Sequence, residues 1–313
     1  MHLNPLQIRA LGRFTFRCHS GLQIGVRGEG TQRFALRVGE NLLIPSTSWK
    51  GAFRSVSEKI IGSMDLSGVV ALLRELYGED EDGVAFKDRN GGTGTFDRVL
   101  DQLTANPGQL IRELERLVVG NEELMSRLRG IRESNELKRF LKEEREGKSL
   151  TQRYLGLLYP ITSLYGSPGL AGKLRFLDTV AKAVTHWRPG VGINRSTMRS
   201  EEGVIYGTEV LVPLGQKITL SMLIDNVLPA TTEAGILAST IELIKSEGIR
   251  IGSSKSRGLG NLELVEEESW IKVMDISDKV DADVKIRYVT SPRNWTHLSL
   301  KEALTWLEGG DDI

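Results

Sequence analysis

The chain of 313 residues carries 41 Lys and Arg against 41 Asp and Glu, and 40% of its residues are hydrophobic. A chain of this length buries a substantial core in one elaborated domain or in two, and its zero net charge means that any binding to nucleic acid depends on local basic patches. The single cysteine, Cys18, excludes an intrachain disulfide framework and indicates a reducing compartment.

The N-terminal part of the chain predicts short strands. Its start, MHLNPLQIRALGRF, lacks the continuous apolar core of a signal peptide, and no later run is long enough to span a bilayer, so we expect a cytoplasmic protein. From Arg9 to Gly25 apolar and polar residues alternate, which predicts two strands with a turn near Ser20 and Gly21. The segment RFALRV, residues 33–38, predicts another short strand.

A helix is predicted to begin at Ser46, where hydroxyl residues stand at its N-terminus. Trp49 and Phe53 then recur at helical spacing. Lys50 and Arg54 lie four residues apart and share one face close to that N-terminus. Because a helix N-terminus presents unpaired backbone N–H groups, these two cations predict an anion site. The alternative is an amphipathic helix whose basic residues are simply solvated.

The residue pattern of the sequence changes from strand-like to helical in residues 67–160. Several helical patterns follow one another there, among them FDRVLDQLTAN, PGQLIRELERLV and NELKRFLKEEREGK. Their dense mixed charges are typical of solvated helix surfaces. This segment therefore predicts a mostly helical subdomain inserted between strands of the main fold, and we assign no chemistry to it. The sequence Ser163–Pro168 is interpreted as the return to the sheet.

A segment rich in glycine and arginine, Trp187–Thr208, comes next. It contains Arg188, Arg195 and Arg199, and it leads into two strand-like patterns, EVLVPLG and KITLSMLIDN. A long basic loop between strands suits contact with nucleic acid, and the alternative is a plain long hairpin.

The stretch GIRIGSSKSRGLGNLELV, residues 248–265, predicts a strand, a glycine-rich loop and a second strand. Lys255, Arg257, Gly258 and Gly260 lie in this loop, which contains no acidic residue. Glycine lets backbone N–H groups approach a ligand closely because no Cβ intervenes. Such a loop can cradle an anion, for example an RNA phosphate, although an ordinary glycine-rich hairpin would have the same sequence pattern.

No metal, cofactor or nucleophile constellation is predicted. The four histidines are scattered, without HExxH or paired Cys/His spacing, and no glycine motif for a nucleotide follows a strand. His19, beside a glycine-bearing turn, is a candidate general base for RNA cleavage. A lone histidine near a strand end is more often structural.

Five segments, in the same order along the chain, resemble the RAMP superfamily of CRISPR-associated proteins. CHSGLQIG is similar to the N-terminal strand and turn of the backbone subunits, and IPSTSWKGAFR is similar to their helix start with its Lys-Gly pair. SLYGSPGLAGKLRFLD resembles their Leu-Tyr-Gly segment and the next strand, while GINRSTMRSEEGVIYGTEVLVPLGQKITLSMLI resembles the thumb-like hairpin and its strands. GSSKSRGLGNLEL resembles their signature glycine-rich loop.

The resemblance implies an α+β fold with a ferredoxin-like, RRM-like core and an antiparallel sheet. The core would comprise 1–66 and 161–313, with a thumb hairpin near 185–210 and a helical insertion at 67–160. The implied function is that of a backbone subunit of a type III CRISPR antiviral effector. Such a subunit binds guide RNA (crRNA) and target RNA, associates with itself along the RNA as a filament, and contacts other effector subunits.

The resemblance also implies site residues. RNA contacts are expected from Lys50, Arg54, Arg188, Arg195, Arg199, Lys255, Arg257, Gly258 and Gly260. Met198, being long and flexible, is expected at the thumb tip as a wedge that displaces a base. Val191 and Ile193 either belong to the wedge or anchor the loop to the core.

Target cleavage is the point at which the sequence departs from the resemblance. Subunits that cleave target RNA carry an aspartate between the first glycine turn and the Lys-Gly helix, whereas GVRGEGTQRFALRVGENLLIP contains none. Glu29 and Glu40 are the only acids there, and Glu29, in the glycine-flanked loop, is the better substitute. We therefore expect a structural RNA-binding subunit. The alternatives are a RAMP-type RNA endonuclease that uses His19 or Glu29, and an enzyme that binds a phosphorylated small molecule.

Overall fold

The computed structural model describes residues 6–27, 33–79, 94–118, 120–193, 196–276, 286 and 288–310. The chain divides into two compact units. One, the helical unit, contains Ile61–Lys173, and the other, the sheet unit, combines Leu6–Ile60 with Leu174–Ile313.

Within the described residues, the strands all belong to the sheet unit, and short 3-10 turns accompany them at Leu214–Gln216, Lys255–Arg257 and Pro292–Asn294. They are β1 Ile8–Cys18, β2 Gly25–Arg27, β3 Arg33–Ala35, β4 Arg37–Val38, β5 Asn41–Ile44, β6 Leu174–Phe176, β7 Thr179–Ala181, β8 Ala183–Ile193, β9 Ser200–Pro213, β10 Lys217–Asp225, β11 Ile249–Arg250, β12 Asn261–Asp275 and β13 Thr296–Ser299. The helices are α1 Ser46–Ser63, α2 Gly68–Glu79, α3 Thr95–Thr104, α4 Pro107–Glu115, α5 Glu122–Gly130, α6 Ser134–Glu143, α7 Arg145–Leu158, α8 Pro160–Tyr165, α9 Thr232–Glu247 and α10 Leu300–Leu307.

The central sheet has the strand order β11-β12-β1-β10-β6, with β13 also paired to β12. All of its pairs are antiparallel. Along the chain its main elements follow as β1, α1, β6, β10, α9 and β12, so the sheet places the fourth, first, third and second strands side by side. This is the βαββαβ arrangement of a ferredoxin-like fold. The predicted α+β fold with an antiparallel sheet is confirmed.

Strand β1 explains how α1 is held on one face of this sheet. Its even-numbered residues, including Phe14 and Phe16, are buried, while Arg13 and Arg17 between them are exposed. This is the period of two that a half-buried strand requires. The Phe16 ring stacks on Trp49 of α1 at 5.2 Å between ring centroids. Burying aromatic rings of this size stabilises the contact between helix and sheet.

Helix α9 lies on the same face as α1. The hydroxyl groups of Ser57 in α1 and Thr240 in α9 lie 2.7 Å apart in a buried hydrogen bond. Thr231 caps α9, because its hydroxyl accepts a hydrogen bond from the backbone N–H of Ala234. Helix α9 therefore starts directly after a residue type that favours the N-cap position. Neither α1 nor α9 covers the opposite face of the central sheet.

Two smaller sheets complete the sheet unit, with strand orders β2-β3-β9-β8 and β4-β5-β7. Strands β8 and β9 form a long hairpin, with Ala183 opposite Pro213 at one end and Ile193 opposite Ser200 at the other. Most of the segment 187–208 lies in these two strands, so the structure has the long hairpin that was the alternative to a long basic loop. The glycines and arginines of this segment mask the sequence pattern of a strand. Both faces of the hairpin meet solvent in places, so polar and apolar residues do not alternate along it.

The helical unit is built from α2 to α8. Leu100, Leu114 and Leu137 are fully buried, and the rings of Tyr77 and Tyr159 stack at 5.3 Å. Residues 163–165 belong to α8 rather than to a returning strand, since Pro160 opens that helix at its first turn. The division at 67–160 stays a prediction. No helix in the described part of the chain is long and apolar enough to cross a membrane.

Candidate nucleic-acid interface

A cationic pocket of about 360 Å³ lies where the β8–β9 hairpin meets the glycine-rich loop of residues 251–260. The Arg188 guanidinium comes from β8 and the Arg257 guanidinium comes from the loop. The two residues are 69 positions apart in sequence, yet Nη1 of Arg188 donates a hydrogen bond to the backbone oxygen of Arg257 at 3.2 Å. The lining consists of Arg188, Pro189, Gly190, Thr208, Ser254, Arg257 and Leu259.

The turn after β1 fixes the glycine-rich loop to the hairpin. On one side, the backbone N–H groups of Ser253 and Gly260 donate to the backbone oxygens of Gln23 and Gly21, at 2.8 and 3.0 Å. On the other side, Leu22 exchanges two backbone hydrogen bonds with Leu211 of β9. The turn predicted near Ser20 and Gly21 is therefore hydrogen-bonded to both the glycine-rich loop and the hairpin. It holds these two sides of the pocket at a fixed distance from each other.

The glycines of the loop serve two different purposes. Gly260 has a φ of +76°, and a Cβ there would lie 2.0 Å from the backbone oxygen of Ile251, so this glycine is required by packing. Gly258 has a φ of +83°, but a Cβ there would meet no atom within 4 Å. Gly258 is therefore exposed and leaves room for a ligand, while its own backbone N–H donates to the backbone oxygen of Lys255 at 3.2 Å. The same loop can therefore be a glycine-rich hairpin and an anion-binding loop at once.

The tip of the loop is a 3-10 turn that exposes its cations. Lys255 and Arg257 are both exposed, and Ser254, which precedes the turn, adopts a left-handed conformation with a φ of +58°. A non-glycine residue in that region is strained, and such strain concentrates at functional sites. Ser254 lines the pocket, so the strained residue and the cations occupy the same place.

The cations of α1 lie outside the described lining of this pocket. The Arg54 guanidinium pairs with Glu58 one turn further along the helix, at 2.7 Å. Partial burial, and then the charge of Arg54, lowers the pKa of the Lys50 amine. The backbone N–H of Ser46, at the start of α1, donates to a carboxylate oxygen of Asp178 at 2.7 Å. A carboxylate of the protein therefore already occupies one donor of the anion site predicted there.

The remaining predicted residues lie on the hairpin tip or away from the pocket. Met198 is 79% exposed with a φ of +52°, and Arg199 beside it is exposed. Arg195 and Glu29 lie outside the described residues. Nε2 of His19 lies 2.7 Å from a carboxylate oxygen of Glu263, away from the pocket lining.

The surroundings of His19 form a surface charge network. Glu263 also accepts a hydrogen bond from Arg17 at 3.1 Å. The hydrogen bond with His19 is the largest cause that lowers the pKa of the Glu263 carboxyl, and the charge of Arg17 adds to it. In the described part of the chain, no group of three or more His, Cys, Asp or Glu residues is arranged to hold a metal ion.

Sequence reasoning missed several pocket residues. Thr208 and Gly190 face the pocket from neighbouring strands of the hairpin, and Leu259 lines it from the loop. The only sequence signal for them is that they flank predicted arginines or glycines. Their convergence depends on the pairing of β8 with β9, in which Arg188 lies opposite Thr208.

The family model of the RAMP superfamily matches residues 15–263. The chain belongs to the RAMP superfamily. The match runs from β1 to the start of β12, so it includes the turn, α1, the hairpin and the glycine-rich loop. The protein is accordingly CRISPR-associated, its general role is RNA binding, and its partners in general terms are RNA and the subunits of a CRISPR complex. Comparison with the curated proteins gives no match.

Proposed function

We propose that this RAMP protein is a guide-binding backbone subunit of a type III CRISPR effector complex. The observation that carries the proposal is the pocket in which Arg188 and Arg257, from two distant segments, face one cavity. In this role the pocket binds phosphates of the crRNA, and copies of the chain follow one another along that RNA as a filament in the cytoplasm. Other effector subunits and the target RNA complete the assembly.

The chemistry of the pocket suits phosphate. An arginine offers a planar fork of donors that matches phosphate oxygens in pairs. The exposed amine of Lys255 adds a donor at the rim. Since the chain has no net charge, attraction to RNA is local and falls quickly with salt. We place Lys50 and Arg54 of α1 in the same RNA path, beyond the pocket.

The β8–β9 hairpin is proposed to be the thumb. Val191 is 50% exposed and Ile193 is 63% exposed, which supports the wedge over the alternative that they anchor the loop to the core. Among the apolar side chains of this hairpin whose exposure is described, Met198 is the most exposed. A side chain that separates stacked bases must be free of the protein core, and all three meet that requirement.

Two further elements of the proposal concern the helical segment and catalysis. We propose that residues 67–160 are an insertion into the RAMP core and that the chain binds RNA without cutting it. The absence of an aspartate from residues 25–45 supports binding without cleavage. Turnover of RNA by the purified chain would instead favour the endonuclease alternative.

The test is the salt dependence of RNA binding. The affinity for a single-stranded oligoribonucleotide is measured across salt concentrations for the parent, Arg188→Ala and Arg257→Ala. Each lost phosphate contact should lower the affinity for all sequences alike and reduce the slope of log K against log salt by about 0.7.

Lys301→Ala is the matched control, because this lysine is exposed on α10 and does not line the pocket. It should leave both affinity and slope unchanged. If Arg188→Ala and Arg257→Ala bind with the parent's affinity and slope, the pocket is not the RNA site.

A further inference from the structure

Trp187 is the most exposed of the five tryptophans. It is 53% exposed, whereas Trp49, Trp295 and Trp306 are buried and Trp270 is partly buried. An aromatic ring of this size left in water forgoes a large burial energy, so its position on the sheet surface calls for a reason.

Phe34 forms an exposed aromatic pair with this indole. It is 41% exposed, and the two rings meet edge to face with centroids 5.9 Å apart and planes at 86°. Phe34 lies on β3 and Trp187 on β8, two strands that both flank β9. The contact therefore fixes the orientation of one ring by the other across the sheet.

Gly207 fixes the inner side of the indole. A Cβ built at Gly207 would lie 3.2 Å from Cε3 and Cζ3 of Trp187, so the ring rests close on the backbone of β9 where no side chain intervenes. One side of the indole is thus supported by the protein, while half of its surface remains in water. A ring that is held in place and half exposed is organised for stacking before a ligand arrives.

The aromatic pair and the cationic pocket share strand β8, which carries Trp187 next to Arg188. Consecutive residues of a strand point to opposite faces, so Trp187 and Arg188 lie on the two faces of β8. Strand β8 is the last in the order β2-β3-β9-β8, so among the described strands it is an edge. An RNA chain that passes over this edge places a phosphate against Arg188 on one side and turns a base toward Trp187 on the other.

We infer that Trp187, supported by Phe34 and Gly207, is a stacking platform for a nucleobase of single-stranded RNA whose phosphate occupies the neighbouring pocket. The inference rests on the proposed function and adds a base-contacting residue to it. Stacking on an aromatic side chain tolerates every base, because each base has a π-face. The platform therefore contributes affinity without reading sequence, as binding to a guide of any sequence requires.

A protein partner fits this surface less well. A stable protein interface buries about 800 Å² on each partner, and the aromatic pair alone is much smaller than that. The cations adjoin it on the same strand, which suits a ligand that combines a ring with an anion. A nucleotide has this composition.

The test uses tryptophan fluorescence and affinity with two probes. The first is single-stranded oligouridylate, and the second is the same oligonucleotide without its bases. Binding of the first should quench the parent's fluorescence, because the accessible indole is Trp187, and Trp187→Phe should abolish most of this quenching while keeping most of the affinity. Trp187→Ala should lower the affinity for oligouridylate by about 5- to 100-fold with an unchanged salt slope. The same variant should bind the abasic probe as the parent does.

Trp270→Phe is the matched control and should keep both the quenching and the affinity. Equal affinities of parent and Trp187→Ala for oligouridylate would overturn the platform, as would quenching that persists in Trp187→Phe. A change in oligomeric state with unchanged RNA affinity would overturn it in favour of a protein contact. Failure of the proposed function is recognised separately, because then Arg188→Ala and Arg257→Ala also leave RNA binding unchanged.

Discussion

Asp225 is the charged residue whose role in stability is most clearly defined. It lies at the end of β10, is 2% exposed, and is paired with two arginines. Arg9 contacts it from β1, with Nε 2.6 Å from Oδ1, and Arg175 contacts its other oxygen from β6. Burial works against the charged form, but the hydrogen bonds and charges of the two arginines prevail, so the pKa of Asp225 is lowered.

The acid stability of the protein should depend on this carboxylate. Because its pKa is lower in the folded state, Asp225 stabilises the fold at pH values above 3.8, the ordinary pKa of an aspartate side chain. This contribution is lost as the pH falls below that value. Asp225→Asn should reduce the free energy of unfolding by about 3 kcal/mol at pH 7, since it leaves two arginines uncompensated. Urea unfolding is measured from pH 7 to pH 2.5. The free energies of unfolding of the parent and of Asp225→Asn should become equal at the acid end of this range.

Glu263→Gln is the control for that measurement, because Glu263 is an exposed carboxylate paired with Arg17 and His19. It should stay close to the parent's unfolding curve at pH 7, since solvent screens an exposed ion pair and leaves it little effect on stability. A constant difference between parent and Asp225→Asn across the whole pH range would contradict the proposed titration.

At the scale of the element, the two glycines at the end of the glycine-rich loop should respond differently to alanine. Gly258→Ala meets open space and bears only the cost of a left-handed conformation, about 1 kcal/mol. Gly260→Ala adds a clash with the backbone oxygen of Ile251 and should cost about 3 kcal/mol or more. Denaturant unfolding of both variants measures the difference. Equal losses would mean that the loop is not packed as described.

The thumb is the second element with a direct test. Replacing residues 191–200 with a short Gly-Ser linker removes Met198, Val191 and Ile193, together with Arg195 and Arg199, but keeps Arg188 and the pocket. The variant should fold, since the three apolar residues are exposed, and should keep most of its guide RNA binding through the pocket. Chemical probing of target RNA in a reconstituted filament should show regularly spaced reactive bases with the parent and none with the variant. Identical probing patterns would mean that this hairpin is not the thumb.

Local pattern predicted the elements that depend on neighbours in sequence. The glycine-rich stretch forms the expected hairpin, with Ile249 paired to Leu262, and the helix predicted at Ser46 begins there. The pattern failed where pairing is set from a distance. The sequence did not decide between a loop and a hairpin at 187–208, because the register of β8 comes from β9. Residues 163–168 were predicted to return to the sheet, although 163–165 belong to the helix that Pro160 starts.

The candidate site was predictable only in part. Composition identified the basic and glycine residues, so Arg188 and Arg257 were both named from sequence, and the structure brings them to one pocket. The partnership of Trp187 with Phe34 spans 153 positions, and no local pattern reports a contact of that kind. The carboxylate of Asp178 at the start of α1 is similarly remote, 132 positions from Ser46. Such contacts follow from topology rather than from spacing.

At the scale of the whole molecule, the sheet unit carries every described residue of the proposed interface, and the helical unit carries none. The sheet unit also has its own core, in which Phe14, Phe16 and Trp49 are fully buried. If residues 67–160 are an insertion, the sheet unit should fold without them. The cut is best placed at 66–171, because α1 ends at Ser63 and β6 starts at Leu174.

Replacing 66–171 with a Gly-Ser linker of about 20 residues, which spans roughly 25 Å on average, should therefore give a folded protein. Its circular dichroism should lose helix, since α2 to α8 are removed, and keep the strand signal. Its denaturant m-value should fall by about a third, because 106 of 313 residues are gone and m scales with the surface exposed on unfolding. RNA binding with the parent's salt slope should persist, since the pocket is intact. A soluble variant without a cooperative transition would mean that the helical segment is part of the folding core rather than an insertion into it.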